Sequence, residues 1–128
     1  MGEEVRSHMI KLSSLREHQR LFQKDISELI NLYLMDGKRK ITALKKAFAE
    51  KNWENFLGAI QELRYRSIDI GAHQFSFYCL SLEICALELR EFLIPNMIHF
   101  IEQSFLEVQK ELERLQQTPL CRKGAPVY

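Results

Sequence analysis

Two apolar runs of helical spacing meet at one glycine, and that meeting limits what the chain can become. Phe56, Ile60, Leu63, Ser67 and Ile70 recur at alternating steps of four and three. Beyond Gly71, the residues Phe75, Tyr78, Leu82, Cys85 and Leu89 follow the same alternation. Such steps place each set on one face of an α-helix. Gly71 stands where a chain leaving a helix often needs a left-handed residue. Residues 61–83 therefore read as part of a helical hairpin with a buried seam. Its outer face carries Gln61, Arg64 and Tyr65.

The rest of the chain supplies partners for that seam. Phe22, Ile26, Ile30, Tyr33, Ile41, Leu44 and Phe48 hold one stripe over residues 22–50. The stripe keeps phase across Gly37. A mid-helix glycine costs about 1 kcal/mol against alanine, so a kink is conceivable there, but the phase argues for one continuous helix. Asn52 is placed to cap a second helix over 53–69. A third helix is predicted over 72–92. Pro95 then suits the first turn of a fourth, in which Ile98, Ile101, Phe105, Val108, Leu112 and Leu115 form the cleanest stripe. The opposite side of that helix, with Glu102, Gln103, Gln109, Lys110, Glu113 and Arg114, should be wet. Four long stripes with short connections predict an all-α, antiparallel four-helix bundle. Ser14 and Glu17 have capping-box spacing and predict a short extra N-terminal helix. The helical bundle is expected over residues 12–117. Residues 1–11 are polar and contain Ser7-His8-Met9, which resembles a cloning remnant. That start is expected to be disordered or cloning-derived, and 118–128 to be a flexible tail.

The resemblance lies in residues 61–83. Ile70-Gly71-Ala72, then Cys79, then Leu82-Glu83 match the downstream half of the histidine-containing phosphotransfer (HPt) domain of bacterial two-component relays. That family reads His-x-Leu-Lys-Gly-Ser, then Ile/Leu-Gly-Ala, then Cys-x-x-Leu-Glu. The likeness extends over residues 26–115 in element order and apolar spacing. Counting back ten from Gly71, the family's phosphoacceptor position falls on Gln61. Leu63 keeps the leucine, Arg64 keeps the lysine's charge, Tyr65 replaces the small glycine, Arg66 replaces the serine, and Ser67 keeps a hydroxyl. The chain thus resembles a degenerate member that lacks the phosphoacceptor histidine. An engineered histidine replacement would explain Gln61 but not Tyr65 and Arg66, so natural degeneration is expected.

Bulk properties narrow the function. The chain has 128 residues, 46% of them hydrophobic and 27% charged, which suits one folded domain. A net charge of +1 gives no footprint for nucleic acid. No apolar run reaches the roughly 18 residues of a membrane span, and no secretory signal is evident. Three cysteines, of which Cys79 and Cys85 point to different sides of one helix, suit a reducing cytoplasm.

A working phosphotransfer domain needs an exposed imidazole, and the glutamine amide is no substitute. Tyr65 would crowd an approaching receiver loop. Other histidines are poorer acceptors: His73 is expected as a solvated first-turn residue, His99 as packed or half-buried, His18 has no carboxylate or cysteine partner at ligand spacing, and His8 falls in the start that resembles a cloning remnant. No metal motif, glycine-rich phosphate loop or nucleophile motif is present, so no cofactor and no enzyme activity are expected. Cys79 reads as a small buried apolar residue. Arg64, Tyr65 and Arg66 form a basic-aromatic cluster of interface type. The resemblance then implies a pseudo-phosphotransfer module that binds a receiver domain or a sensor histidine kinase domain. It would be either the terminal domain of a hybrid kinase or a free-standing regulator, with its oligomeric state open. The alternatives are an active relay protein using His73 and a helical adaptor or oligomerisation domain.

Overall fold

Apolar side chains that recur every three or four residues can leave water only when helices pair along their stripes. The structure, a computed structural model, describes residues 9–22 and 24–119. Among these residues are five α-helices: α1 (Leu12–Phe22), α2 (Ile26–Ala49), α3 (Trp53–Asp69), α4 (His73–Leu87) and α5 (Ile94–Gln116), with a short 3-10 turn at Glu91–Leu93 before α5. Helix α2 packs on α3, α3 on α4, α4 on α5 and α5 on α2, which closes a four-helix ring, while α1 lies against α2 and α3. The long helices run antiparallel. Lys45 of α2 pairs with Glu102 of α5 at 3.1 Å, and at the far end Gln116 donates to the Asn31 side chain at 2.8 Å.

The seam is the one expected on α3 and α5, while on α4 Cys79 is buried in place of Tyr78, which is only partly buried against the core. Phe56, Ile60, Leu63 and Ser67 of α3 are buried with Phe75, Cys79 and Leu82 of α4, and all six stripe residues of α5 are buried. Burying a side chain of this kind contributes about 1.5–3 kcal/mol. Asp25 and Asn52 cap α2 and α3, each accepting from the backbone N–H three residues on. Gly71 has φ +93°, and a Cβ there would sit 2.5 Å from the Lys11 carbonyl oxygen. The glycine is thus required twice, for its backbone and for the close approach of the α1 entry. In that approach the Lys11 N–H donates to the Gly71 carbonyl at 2.7 Å.

Five expectations need correction. Helix α4 stops at Leu87, not near residue 92. Leu89 adopts φ 58° and turns outward, 75% exposed, so it leaves the stripe. The α1 helix starts at Leu12, and the Lys11 carbonyl accepts from Ser14 and Leu15, so Ser14 and Glu17 form no capping box. Ile10, assigned to the start segment, is 2% exposed and belongs to the core, so the buried chain begins ahead of residue 12. His99 is exposed rather than packed. Residues 1–8 (with His8), the Phe22 side chain and residues 120–128 lie outside the described residues.

Gly37 does not kink α2. A Cβ on it would lie 2.5 Å from Cε1 and Cζ of Phe105, so the glycine seats that ring between α2 and α5.

Candidate functional site

Helix α4 is apolar nearly all round, and its one charged residue is Glu83, whose side chain is 6% exposed. A carboxylate cannot stay ionised away from water without donors. Both donors come from the outer face of α3. Gln61 Nε2 donates to Glu83 Oε2 at 3.1 Å, and Arg64 Nη2 donates to Glu83 Oε1 at 3.1 Å. Each carboxylate oxygen thus has its own partner, and the Arg64 side chain is drawn down to 18% exposure. The guanidinium carbon of Arg64 also lies 4.5 Å from the ring centroid of Tyr65, a cation–π stack.

Of the four residues singled out from sequence, Gln61 and Arg64 therefore meet at Glu83. Tyr65 stands beside them, 56% exposed. Arg66 turns the other way, toward α2, where it borders a cleft with Tyr65, Tyr33 and Asp36. On that same side Glu62 pairs with Lys40 at 2.6 Å, which holds its carboxyl below the usual carboxylate range.

Ser67 is wholly buried. Its hydroxyl donates to the Leu63 carbonyl at 2.7 Å, so the 2.7 Å contact with Tyr33 has the phenol as donor. This serine ties α3 to α2 and offers nothing to a partner. Burial of the Tyr33 phenol raises its pKa well above the ordinary tyrosine value. Burial likewise pushes the Cys79 thiol up to about 12, so it is protonated and inert at neutral pH.

His73 is exposed in the first turn of α4, with Nε2 3.2 Å from the Ser14 hydroxyl. It lies ten residues before Glu83, about 15 Å along the helix axis. It is no neighbour of the Gln61 face. Among the described residues no cluster of three or more His, Cys, Asp or Glu could hold a metal ion. No helix among them is long and apolar enough to cross a membrane.

Two features escaped the sequence reading. Glu83 is the anchor of the face, and its signal was available: a lone charge in an otherwise uncharged helix. The second is an outward apolar stripe on α4, Phe77, Leu80, Ile84 and Leu87, in which Phe77 is 63%, Ile84 45% and Leu87 61% exposed. Leu80 and Leu87 lie three residues before and four after Glu83, so the stripe flanks the Gln61–Arg64–Glu83 cluster.

The fold is that of the phosphotransfer bundles. It is similar to the crystal structure of histidine-containing phosphotransfer protein B (HptB) from Pseudomonas aeruginosa PAO1, with a TM-score of 0.77 over 85% of this chain and 95% of that one. At 18% identity the likeness is one of fold. No protein-family model matches the chain, and no curated protein matches it in sequence.

Proposed function

We propose that this chain is a non-catalytic pseudo-phosphotransfer domain, a protein–protein interaction module of bacterial two-component signalling. It docks a receiver domain or a sensor histidine kinase domain in the cytoplasm. The observation that carries this reading is Gln61. It stands at the position that the resemblance gives to the phosphoacceptor, and its amide is spent as a donor to Glu83. A phosphoacceptor must present a nitrogen lone pair in line with the phosphorus, about 3 Å away. The amide lone pair is delocalised into its carbonyl and attacks nothing. Arg64, which would neutralise phosphoryl oxygens, already neutralises Glu83.

What remains is a surface suited to contact. The exposed apolar stripe of α4 beside Tyr65 has the composition of an interface core, rich in aromatic and aliphatic groups and poor in charge. Incubation with a phosphorylated receiver, followed by mass spectrometry under conditions that preserve acid-labile phosphate, tests the reading. The expected result is no phosphoryl uptake, together with retention of a receiver or kinase domain in a pull-down. Stoichiometric label on any histidine defeats it, and label on His73 makes the chain an active relay protein. Failure of every receiver and kinase domain to bind leaves a helical adaptor of another kind.

A further inference from the structure

A second site lies on the other side of α3. Helices α1, α2 and α3 enclose a cleft of about 330 Å³, at the lower end of the roughly 300–1,000 Å³ of small-ligand pockets. Its floor is apolar, made by Leu29, Tyr33 and Ile70, each no more than 6% exposed. It runs along α2 from Leu29 to Asp36, seven residues or about 10 Å.

The walls carry charges of both signs that do not neutralise one another. Asp36 and Asp69 supply carboxylates, and Arg66 and Lys24 supply cations. None of the four takes part in an ion pair among the described residues. Oδ2 of Asp36 is shielded from solvent and has no hydrogen-bond partner among the described residues. A charged acceptor withdrawn from water without a donor is costly, and it is stabilised when a donor arrives. Tyr33 and Tyr65 bring two aromatic rings to the cleft, and such rings favour a cation placed over them.

We infer that this cleft binds a small zwitterion. Its guanidinium or ammonium group meets Asp36 beside the two tyrosines, and its carboxylate or phosphate meets Arg66 and Lys24. The ligand supplies the donor that Asp36 Oδ2 lacks and an acceptor for Lys24 and Arg66, which stand exposed at the rim of the cleft above its apolar floor.

The test is a titration of the ¹⁵N-labelled full chain, without any protein partner, so its outcome is independent of the docking reading above. L-Arginine is the probe, because it carries both a guanidinium and a carboxylate. Saturable shift changes are expected at residues 29–36 and 65–70. Citrulline lacks the guanidinium charge and agmatine the carboxylate. Each should bind at least about tenfold more weakly, the loss expected for one charged contact. Asp36→Asn and Arg66→Gln should each weaken L-arginine by about the same factor. The inference is overturned if none of the three compounds gives saturable shifts in the cleft, or if Asp36→Asn leaves the affinity unchanged. It is also overturned if Asp36 and Arg66 satisfy each other in solution. Thermal unfolding of the two single variants and the double variant reads this directly: additive effects are expected, and coupling between the two positions contradicts the inference.

Discussion

Arg64 is the residue at which folding and binding are hardest to separate. Taken from its helical position alone, it is a surface group whose truncation should affect a partner and leave the fold intact. Its contact with Glu83 reverses half of that expectation. Removing one member of a buried ion pair leaves an uncompensated charge and costs roughly 3–5 kcal/mol when burial is complete. Arg64 keeps 18% of its side chain in water, so solvent recovers part of the loss. Arg64→Ala is expected to destabilise by about 2 kcal/mol, and Glu83→Ala by a similar amount. The double variant should lose less than the sum, because it leaves no orphan. Chemical denaturation of the three variants checks this. Additive losses would mean that the pair contributes nothing. The sequence placed Gln61 and Arg64 together from their spacing. Glu83 lay outside that pattern: the spacing of α3 says nothing of α4, where the signal was a lone charge in an otherwise uncharged helix.

At the scale of the helices, the apolar periodicity was legible nearly everywhere, because burial sets it and burial leaves a repeat. The ends were less so. Asn52 and Gly71 announce their turns by residue type, one through a side-chain cap and one through its left-handed backbone. Leu89 does not. It takes up φ 58° to end α4, with the Arg90 N–H reaching the Cys85 carbonyl at 3.0 Å, and nothing in its residue type signals a stop. A left-handed backbone costs a residue with a Cβ roughly 1–2 kcal/mol. Leu89 is 75% exposed, so replacing it forfeits little packing. Leu89→Gly is therefore expected to stabilise the protein by about 1 kcal/mol in a urea melt. Gly37 behaves in the opposite sense. Helix propensity alone says that Gly37→Ala gains about 1 kcal/mol. The added methyl would meet the Phe105 ring at 2.5 Å, and that ring is 2% exposed with little room to retreat. Overpacking costs about 1–3 kcal/mol and should win, so Gly37→Ala lowers the midpoint. Adding Phe105→Leu to Gly37→Ala relieves the clash. If the alanine variant alone proves more stable than the parent, α2 and α5 can move apart, and the glycine is only a tolerated gap.

On the scale of the whole molecule, the bundle separates the groups that hold it together from those that it displays. Leu63 is 1% exposed and faces the seam, whereas Tyr65 and Ile84 are 56% and 45% exposed on adjoining helices. Helices α3 and α4 are packed on each other and on α2 and α5, so the displayed face rests on a rigid support. That arrangement yields a test in which each variant returns two quantities, a thermal midpoint and an affinity for the receiver or kinase domain that the pull-down retains. Leu63→Ala removes buried volume, at roughly 2–5 kcal/mol, and its midpoint should fall by on the order of 10 °C. Tyr65→Ala and Ile84→Gln remove exposed groups and should change stability by no more than about 0.5 kcal/mol. If they belong to the centre of an interface, each costs about 2 kcal/mol or more of binding, which is roughly thirtyfold in Kd. The expected pattern is therefore crossed: a large loss of stability with the leucine change, and a large loss of affinity with the other two. Parental affinity in both Tyr65→Ala and Ile84→Gln would remove the α3–α4 face from consideration. The polar side of α5, where Glu102 and Gln109 are half-buried and Glu113 is exposed, would then be the surface to vary next.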